Sequence, residues 1–190
     1  KAAEAGAEVL LVDENPALGG SLNYARFGVD EGASRKLREK FVSGVEANGR
    51  IRVMTSTFCN GWFTDNWLPL VKGNRLYKLR AKTVVVATGA YEQPIIFRNN
   101  DLPGVMLGSA AQRLVKLYGV RPGSRAVVAT ANSEGYGVAL DLMEAGVEIA
   151  CVADLRAEPF ESDLAEAVTK RHAPVLVNST VWEAIPQRRL

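Results

Sequence analysis

The residues best suited to chemistry are an acid, a glycine pair and a run of small residues, in that order along the chain. Asp13 closes the apolar run "AEVLLVD". A carboxylate at the end of such a strand accepts hydrogen bonds from the hydroxyls of an adenosine ribose. Standing alone, it is equally an acid facing solvent at a strand end. Gly19 and Gly20 follow in "NPALGGS". Two residues without Cβ atoms let the backbone pass close to a bound dinucleotide and turn N–H groups towards it, although a Gly-Gly pair by itself also marks an ordinary tight turn. Thr88, Gly89 and Ala90 end the apolar stretch "TVVVATGAY". Small residues at the carboxyl end of a parallel strand lie where open α/β sheets bind ligands, with Gly89 permitting close approach and Thr88 offering a hydroxyl. A strand running into a tight turn leaves the same trace. The three features in this order point to a dinucleotide site more firmly than any one of them.

A second set lies further on. Strand "RAVVAT", loop "ANSEGYG", helix "VALDLMEAG" and strand "VEIACVAD" repeat the logic of a βαβ nucleotide-binding unit. The positions that should be glycine in G-x-G-x-x-G hold Thr130, Asn132 and Gly135, so only the glycine needed for helix–strand packing is present. The Asn132 side chain stands where a pyrophosphate needs room. Asp154, at the end of the following strand, is where the ribose acid belongs. This second site is expected to be degenerate: a fold kept without its usual ligand, or one used in a different mode, with the helix dipole still available to an anion.

Other chemistry finds little support. His172 is the sole histidine and lies on a polar helical stretch with no nucleophile or carboxylate partner in its sequence context. Cys59 and Cys151 are far apart and in no metal or redox spacing. Trp62, Trp67 and Trp182 read as packing residues. No nucleophile elbow, P-loop or metal cluster is present, so no catalytic residue and no metal ligand is assigned. A net charge of +2 and one alternating basic run, "RLYKLRAK", argue against nucleic acid as a partner. No signal peptide and no apolar stretch of membrane-spanning length is found, so a cytoplasmic protein without a membrane contact is expected.

The elements that must position these residues follow from periodicity. Lys1 to Gly6 reads as a helix end, and "AEVLLVD" as a strand buried on both faces. "SRKLREKFVSGVEANG" carries Leu37, Phe41 and Val45 at four-residue spacing, a helix with Ser34 as N-cap and Gly49 as stop. "RIRVMTST" and two runs around the turn "KGNR" read as strands, as does "TVVVATGAY". "EQPIIFRNNDLPGV" is a crossing segment, followed by a helix capped by Ser109 and ending at Gly119. "SDLAEAVTKRH" reads as helix and "PVLVNSTVWEAI" as strand. The fold class is therefore α/β: truncated, tandem Rossmann-like units, with a small three-stranded antiparallel sheet inserted in the first. The expected domains are 1–104, lacking its first strand and glycine-rich loop, and 105–190, incomplete at its C-terminus. A sheet without its central strand exposes unpaired backbone, so a piece of a longer protein is expected.

"LVDENPALGGSL" and "VVVATGAYEQP" resemble the two-dinucleotide-binding-domain flavoproteins that include glutathione and ferredoxin reductases. "FRNNDLPGVMLGSAAQRLVKLYGVRPGSRAVVATAN" is narrower. It resembles the alpha subunit of heterotetrameric sarcosine oxidase and its relatives, the larger subunits of opine oxidase, dye-linked proline dehydrogenase and hydrogen cyanide synthase. The likeness runs over residues 8–156. It implies that Asp13 is the ribose acid, that Glu14 is a further ribose or adenine contact, that Gly19, Gly20 and Ser21 form the turn after it, and that Thr88, Gly89 and Ala90 lie over the cofactor. It also implies NAD or FAD at the first site, FMN at a subunit interface, and a flavin-bearing beta subunit that oxidises a secondary amine. For sarcosine the products are glycine, formaldehyde and hydrogen peroxide. The isolated fragment is expected to be inactive. Two other readings remain: a self-sufficient FAD-dependent NAD(P)H oxidoreductase, which needs a working second site, and a scaffold that has kept the fold without cofactors.

Overall fold

The computed structural model describes residues 1–30, 32–158 and 162–186; the end of the chain at Leu190 lies outside the described residues. They group into two compact units, residues 1–20 with 37–90, and residues 21–36 with 91–190. No helix among the described residues is long and apolar enough to cross a membrane.

The first unit opens on turns rather than a helix, closed by Gly6 at φ 94°. β1 (Val9–Val12) then pairs in parallel with the later strand β2 (Ile51–Met54), Val9 opposite Ile51 and Val12 opposite Met54. Parallel strands need a crossover, and α1 (Gly32–Glu46) lies between them in sequence. β3 (Phe58–Cys59), β4 (Trp67–Lys72) and β5 (Arg75–Arg80) make a three-stranded antiparallel sheet in that order. Leu68 and Leu70 alternate with less buried neighbours along β4, the period of two that turns one face of a strand inward.

Several local expectations differ from what forms. "TVVVATGAY" is not a strand, and Val85 and Val86 are 82% and 63% exposed. Its β-forming residues are present, but no strand among the described residues pairs with it, and a strand without a ladder leaves its N–H and C=O groups to water. Trp62 and Trp182 are exposed, the former donating its indole N–H to Asn66 Oδ1 at 3.0 Å. Ser34 is not a cap. It is buried within α1, where its hydroxyl donates to Ala25 O at 2.9 Å and accepts from Phe27 N at 3.1 Å. The capping oxygen is Asp30 Oδ1, which accepts from Gly32 N at 2.9 Å.

The second unit is the better-formed nucleotide-binding fold. α2 (Gly108–Tyr118) ends in a left-handed Gly119. β6 (Arg125–Thr130), α3 (Glu134–Glu144), β7 (Glu148–Asp154), α4 (Asp163–Lys170) and β8 (Val175–Leu176) follow, with the strands parallel in the order β6-β7-β8. α3 is buried along most of its length, and Tyr136, Leu140, Val152 and Val168 are fully enclosed in the core between helices and sheet. Apolar burial on this scale, worth about 25 cal/mol per Å², holds the unit together. α2 begins at Gly108, and its cap is neither Ser109 nor any adjacent side chain. Glu92 bonds the N–H groups of Gly108 and Ser109 at 2.9 and 2.7 Å. The expected strand after α4 is short. Beyond β8, the described residues make one isolated bridge, Arg98 to Glu183.

Candidate functional site

Asp13 follows directly on β1, and its backbone is held on both sides: its N–H donates to Met54 O and its C=O accepts from Thr57 N, both at 3.0 Å. Its Oδ1 accepts from Asn15 N at 2.9 Å and Asn15 Nδ2 at 3.0 Å. This local turn fixes the carboxylate at the strand end. Oδ2 takes no hydrogen bond among the described residues, and Asp13 is half-buried, so one oxygen is left for a ligand hydroxyl. Glu14 is exposed. Gly19 and Gly20 have φ of 122° and 53°, conformations that side chains rarely take, and a Cβ on Gly20 would meet nothing within 4 Å. Ser21 follows in a 3-10 turn over Gly20–Asn23, and its carbonyl accepts from the N–H groups of Tyr24 and Ala25. Gly89, at φ 75°, is likewise surrounded by open space, and Thr88, Gly89 and Ala90 are all exposed. Asp13, Glu14, Gly19, Gly20 and Thr88–Ala90 thus share the first unit, while Ser21 is the first residue of the second. No hydrogen bond joins Asp13 to residues 88–90 among the described residues.

At the matching place in the second unit the carboxylate is in a different state. Asp154 is fully buried at the end of β7. It accepts from Tyr136 Oη at 2.7 Å, and from Arg156 Nη2, Nε and N at 2.7, 3.0 and 3.0 Å. The Arg156 guanidinium holds the Asp154 carboxyl down at about 2, against the opposing effect of burial. Burial, together with the Asp154 charge, pushes the Tyr136 phenol up to about 12. In the loop between β6 and α3, the Thr130 hydroxyl donates to Asn132 O at 2.9 Å, and Asn132 Oδ1 accepts from Glu134 N at 3.0 Å. A Cβ on Gly135 would stand 2.4 Å from Thr130 Cβ, so glycine is needed for α3 to approach β6.

A third cluster was not legible in the sequence. Arg26 and Asp141 are both buried, and Arg26 Nε donates to Asp141 Oδ1 at 2.9 Å. Arg26 also bonds Glu144 and Val29 O, while Gln112 Nε2 donates to Asp141 Oδ2 at 2.8 Å and Lys116 Nζ lies 3.2 Å from Oδ1. Burial works against the Arg26 charge, but its bond to Asp141 and the charges of Asp141 and Glu144 outweigh it, and its pKa is raised. The one available signal was the pair of acids, Asp141 and Glu144, in the mostly apolar helix "VALDLMEAG". The cluster fixes the segment after the glycine pair to α3 within the second unit.

Elsewhere, an open depression of about 490 Å³ lies at the amino ends of β6 and β7, lined in part by Arg125, Glu148 and His172. Ligands of such sheets bind at the opposite, carboxyl ends. His172 is exposed, and no group of His, Cys, Asp or Glu among the described residues could hold a metal ion.

No family model matches the chain. It is 32% identical over 169 residues, 82% of its length, to sarcosine oxidase subunit alpha of Rhizobium meliloti (strain 1021). The chain is a homologue of sarcosine oxidase alpha subunits. It spans 17% of the length of that relative. Among solved structures, L-proline dehydrogenase from P. horikoshii superposes with a TM-score of 0.62 at 29% identity, over 74% of this chain and 29% of that one. Thioredoxin reductase from T. acidophilum gives a TM-score of 0.69 at 16% identity, over 98% of this chain and 61% of that one. The second likeness concerns the fold alone. That fold is the Rossmann-type α/β fold of FAD/NAD(P)-binding oxidoreductases.

Proposed function

We propose that this chain is part of the dinucleotide-binding alpha subunit of a cytoplasmic flavin-dependent oxidase of the sarcosine oxidase type. In this reading a flavin-bearing partner subunit oxidises the secondary amine, converting sarcosine, oxygen and water to glycine, formaldehyde and hydrogen peroxide. NAD or FAD occupies the first unit, and FMN lies at the subunit interface. The two nucleotide-binding domains are taken as residues 1–104 and 105–190.

The observation that carries the proposal is the 32% identity to a sarcosine oxidase alpha subunit over most of the chain. The first unit is compatible with the cofactor. Asp13 keeps one carboxylate oxygen for the ribose, with Glu14 beside it, and Gly20 and Gly89 have no neighbour where a side chain would be. In the proposed site Gly19, Gly20 and Ser21 turn the backbone past the dinucleotide, and Thr88, Gly89 and Ala90 cover it. The dinucleotide supplies the adenine and pyrophosphate anchor; the protein residues bind and orient it and exclude bulk water.

The test is expression of the complete protein with its genomic neighbours, followed by purification through a tag on this chain. A flavin-containing smaller subunit is expected to co-purify and to release peroxide and formaldehyde from sarcosine or another secondary amino acid. In that complex Asp13→Ala should weaken the dinucleotide about tenfold, the size of a lost charge-assisted hydrogen bond. A complete protein that associates with no flavoprotein and oxidises no secondary amine overturns the reading.

A further inference from the structure

We infer that Arg156 and Asn132 close the nucleotide crevice of the second unit from within, so that this unit takes no pyridine nucleotide and no electrons enter the protein from NAD(P)H through it. Three features hold a dinucleotide on a unit of this kind: a strand-end carboxylate on the ribose, helix N–H groups on the pyrophosphate, and a glycine that leaves it space. In the second unit each is taken by the protein itself.

The carboxylate is saturated. A carboxylate offers about four lone-pair positions. Asp154 Oδ1 accepts from Arg156 N and Nε, and Oδ2 from Tyr136 Oη and Arg156 Nη2. Arg156 therefore grips both oxygens with its fork, the geometry that makes arginine–carboxylate pairs strong and directional. Its Nη1 also reaches Ser133 Oγ at 3.5 Å, tying it across to the start of α3. At that helix end Asn132 Oδ1 already accepts the Glu134 N–H, and the same side chain fills the position where the motif needs glycine.

The contrast with the first unit carries the inference. Asp13 and Asp154 hold the same place at the ends of corresponding strands, yet Asp13 Oδ2 has no donor among the described residues, while both oxygens of Asp154 are satisfied. A ribose hydroxyl must displace an arginine and a tyrosine from a fully buried carboxylate to bind there. The donor of reducing equivalents is then the amine rather than a nicotinamide. That last step rests on the function proposed above; the closure of the crevice does not.

The test measures the stoichiometry of NADH and NADPH binding by equilibrium dialysis to the complete protein, with its partner if one co-purifies, in wild type and in Asp13→Ala, which weakens the first site about tenfold. At most one equivalent per chain is expected, weakened by Asp13→Ala, with no second saturable equivalent below about 1 mM. Adding Arg156→Ala with Asn132→Gly should free Asp154 and the helix end and give a second equivalent at least tenfold tighter than in the background. Arg156→Gln, which keeps most of the volume, serves if the alanine variant does not fold, as judged by circular dichroism. An equivalent of NADH or NADPH that Asp13→Ala leaves unchanged and Asp154→Asn removes overturns the inference, and so does a folded Arg156 and Asn132→Gly double variant with no second equivalent. If instead the dinucleotide carried by wild-type protein is unaffected by Asp13→Ala, the first-site assignment fails, and the Arg156 variants still decide this inference in an otherwise wild-type protein.

Discussion

Arg26 and Asp141 show how strongly a single residue depends on its surroundings here. Both are buried, and removing one takes from the other its buried partner in a medium that solvates charge poorly. Arg26→Met is expected to lower stability by about 3 kcal/mol, moderated because Lys116 and Gln112 still face Asp141. The double variant Arg26→Met with Asp141→Leu should cost less than the sum of the single changes, since no unpaired charge remains. Urea unfolding curves of the single and double variants check this; additive losses would mean that the pair is not coupled. None of it was legible beforehand. The partners are 115 positions apart, and nothing in "NYARFGVD" marks its arginine as one that will be buried. The placement of Asp13 was legible, because it follows from where a strand ends.

Among the elements, order and type were largely readable, and their ends were not. The alternation in "RLYKLRAK", the glycine after Tyr118 and the apolar runs of "RAVVAT" and "VEIACVAD" locate β5, the end of α2, β6 and β7. Capping misleads because sequence reading looks for a cap next door. Ser34 and Ser109 are plausible caps by position, yet Asp30 and Glu92 provide the oxygens, the latter from 16 residues away. Glu92→Ala leaves the first N–H groups of α2 without their acceptor and is expected to cost about 1 kcal/mol. Hydrogen exchange at Gly108 and Ser109 should quicken, with amides in the middle of the helix little changed; unchanged exchange at those two residues would refute the cap. The run "TVVVAT" makes the complementary point. It has strand residues without strand structure, because a ladder needs a partner as well as a propensity.

For the molecule as a whole, the strongest loss of stability on acidification should come from Asp154. Its carboxyl lies at about 2 in the folded protein against 3.8 as the ordinary value, so the unfolded chain takes up the proton first on acidification. The contribution, on the order of 2 kcal/mol, is complete above pH of about 4 and is lost as the pH falls through about 2. Urea midpoints measured across that window should fall more steeply in wild type than in Asp154→Asn; parallel curves would show that the Arg156 bond does not stabilise the fold. By itself the sequence determined the α/β class, the tandem of nucleotide-binding units and the two strand-end carboxylates, since these rest on local periodicity and short spacings. Tertiary structure alone decided which carboxylate keeps an oxygen without a donor among the described residues and which is spent on the protein. Hydrogen-bond donors are assigned by proximity in space, and Tyr136 reaches Asp154 only once α3 packs on the sheet at Gly135.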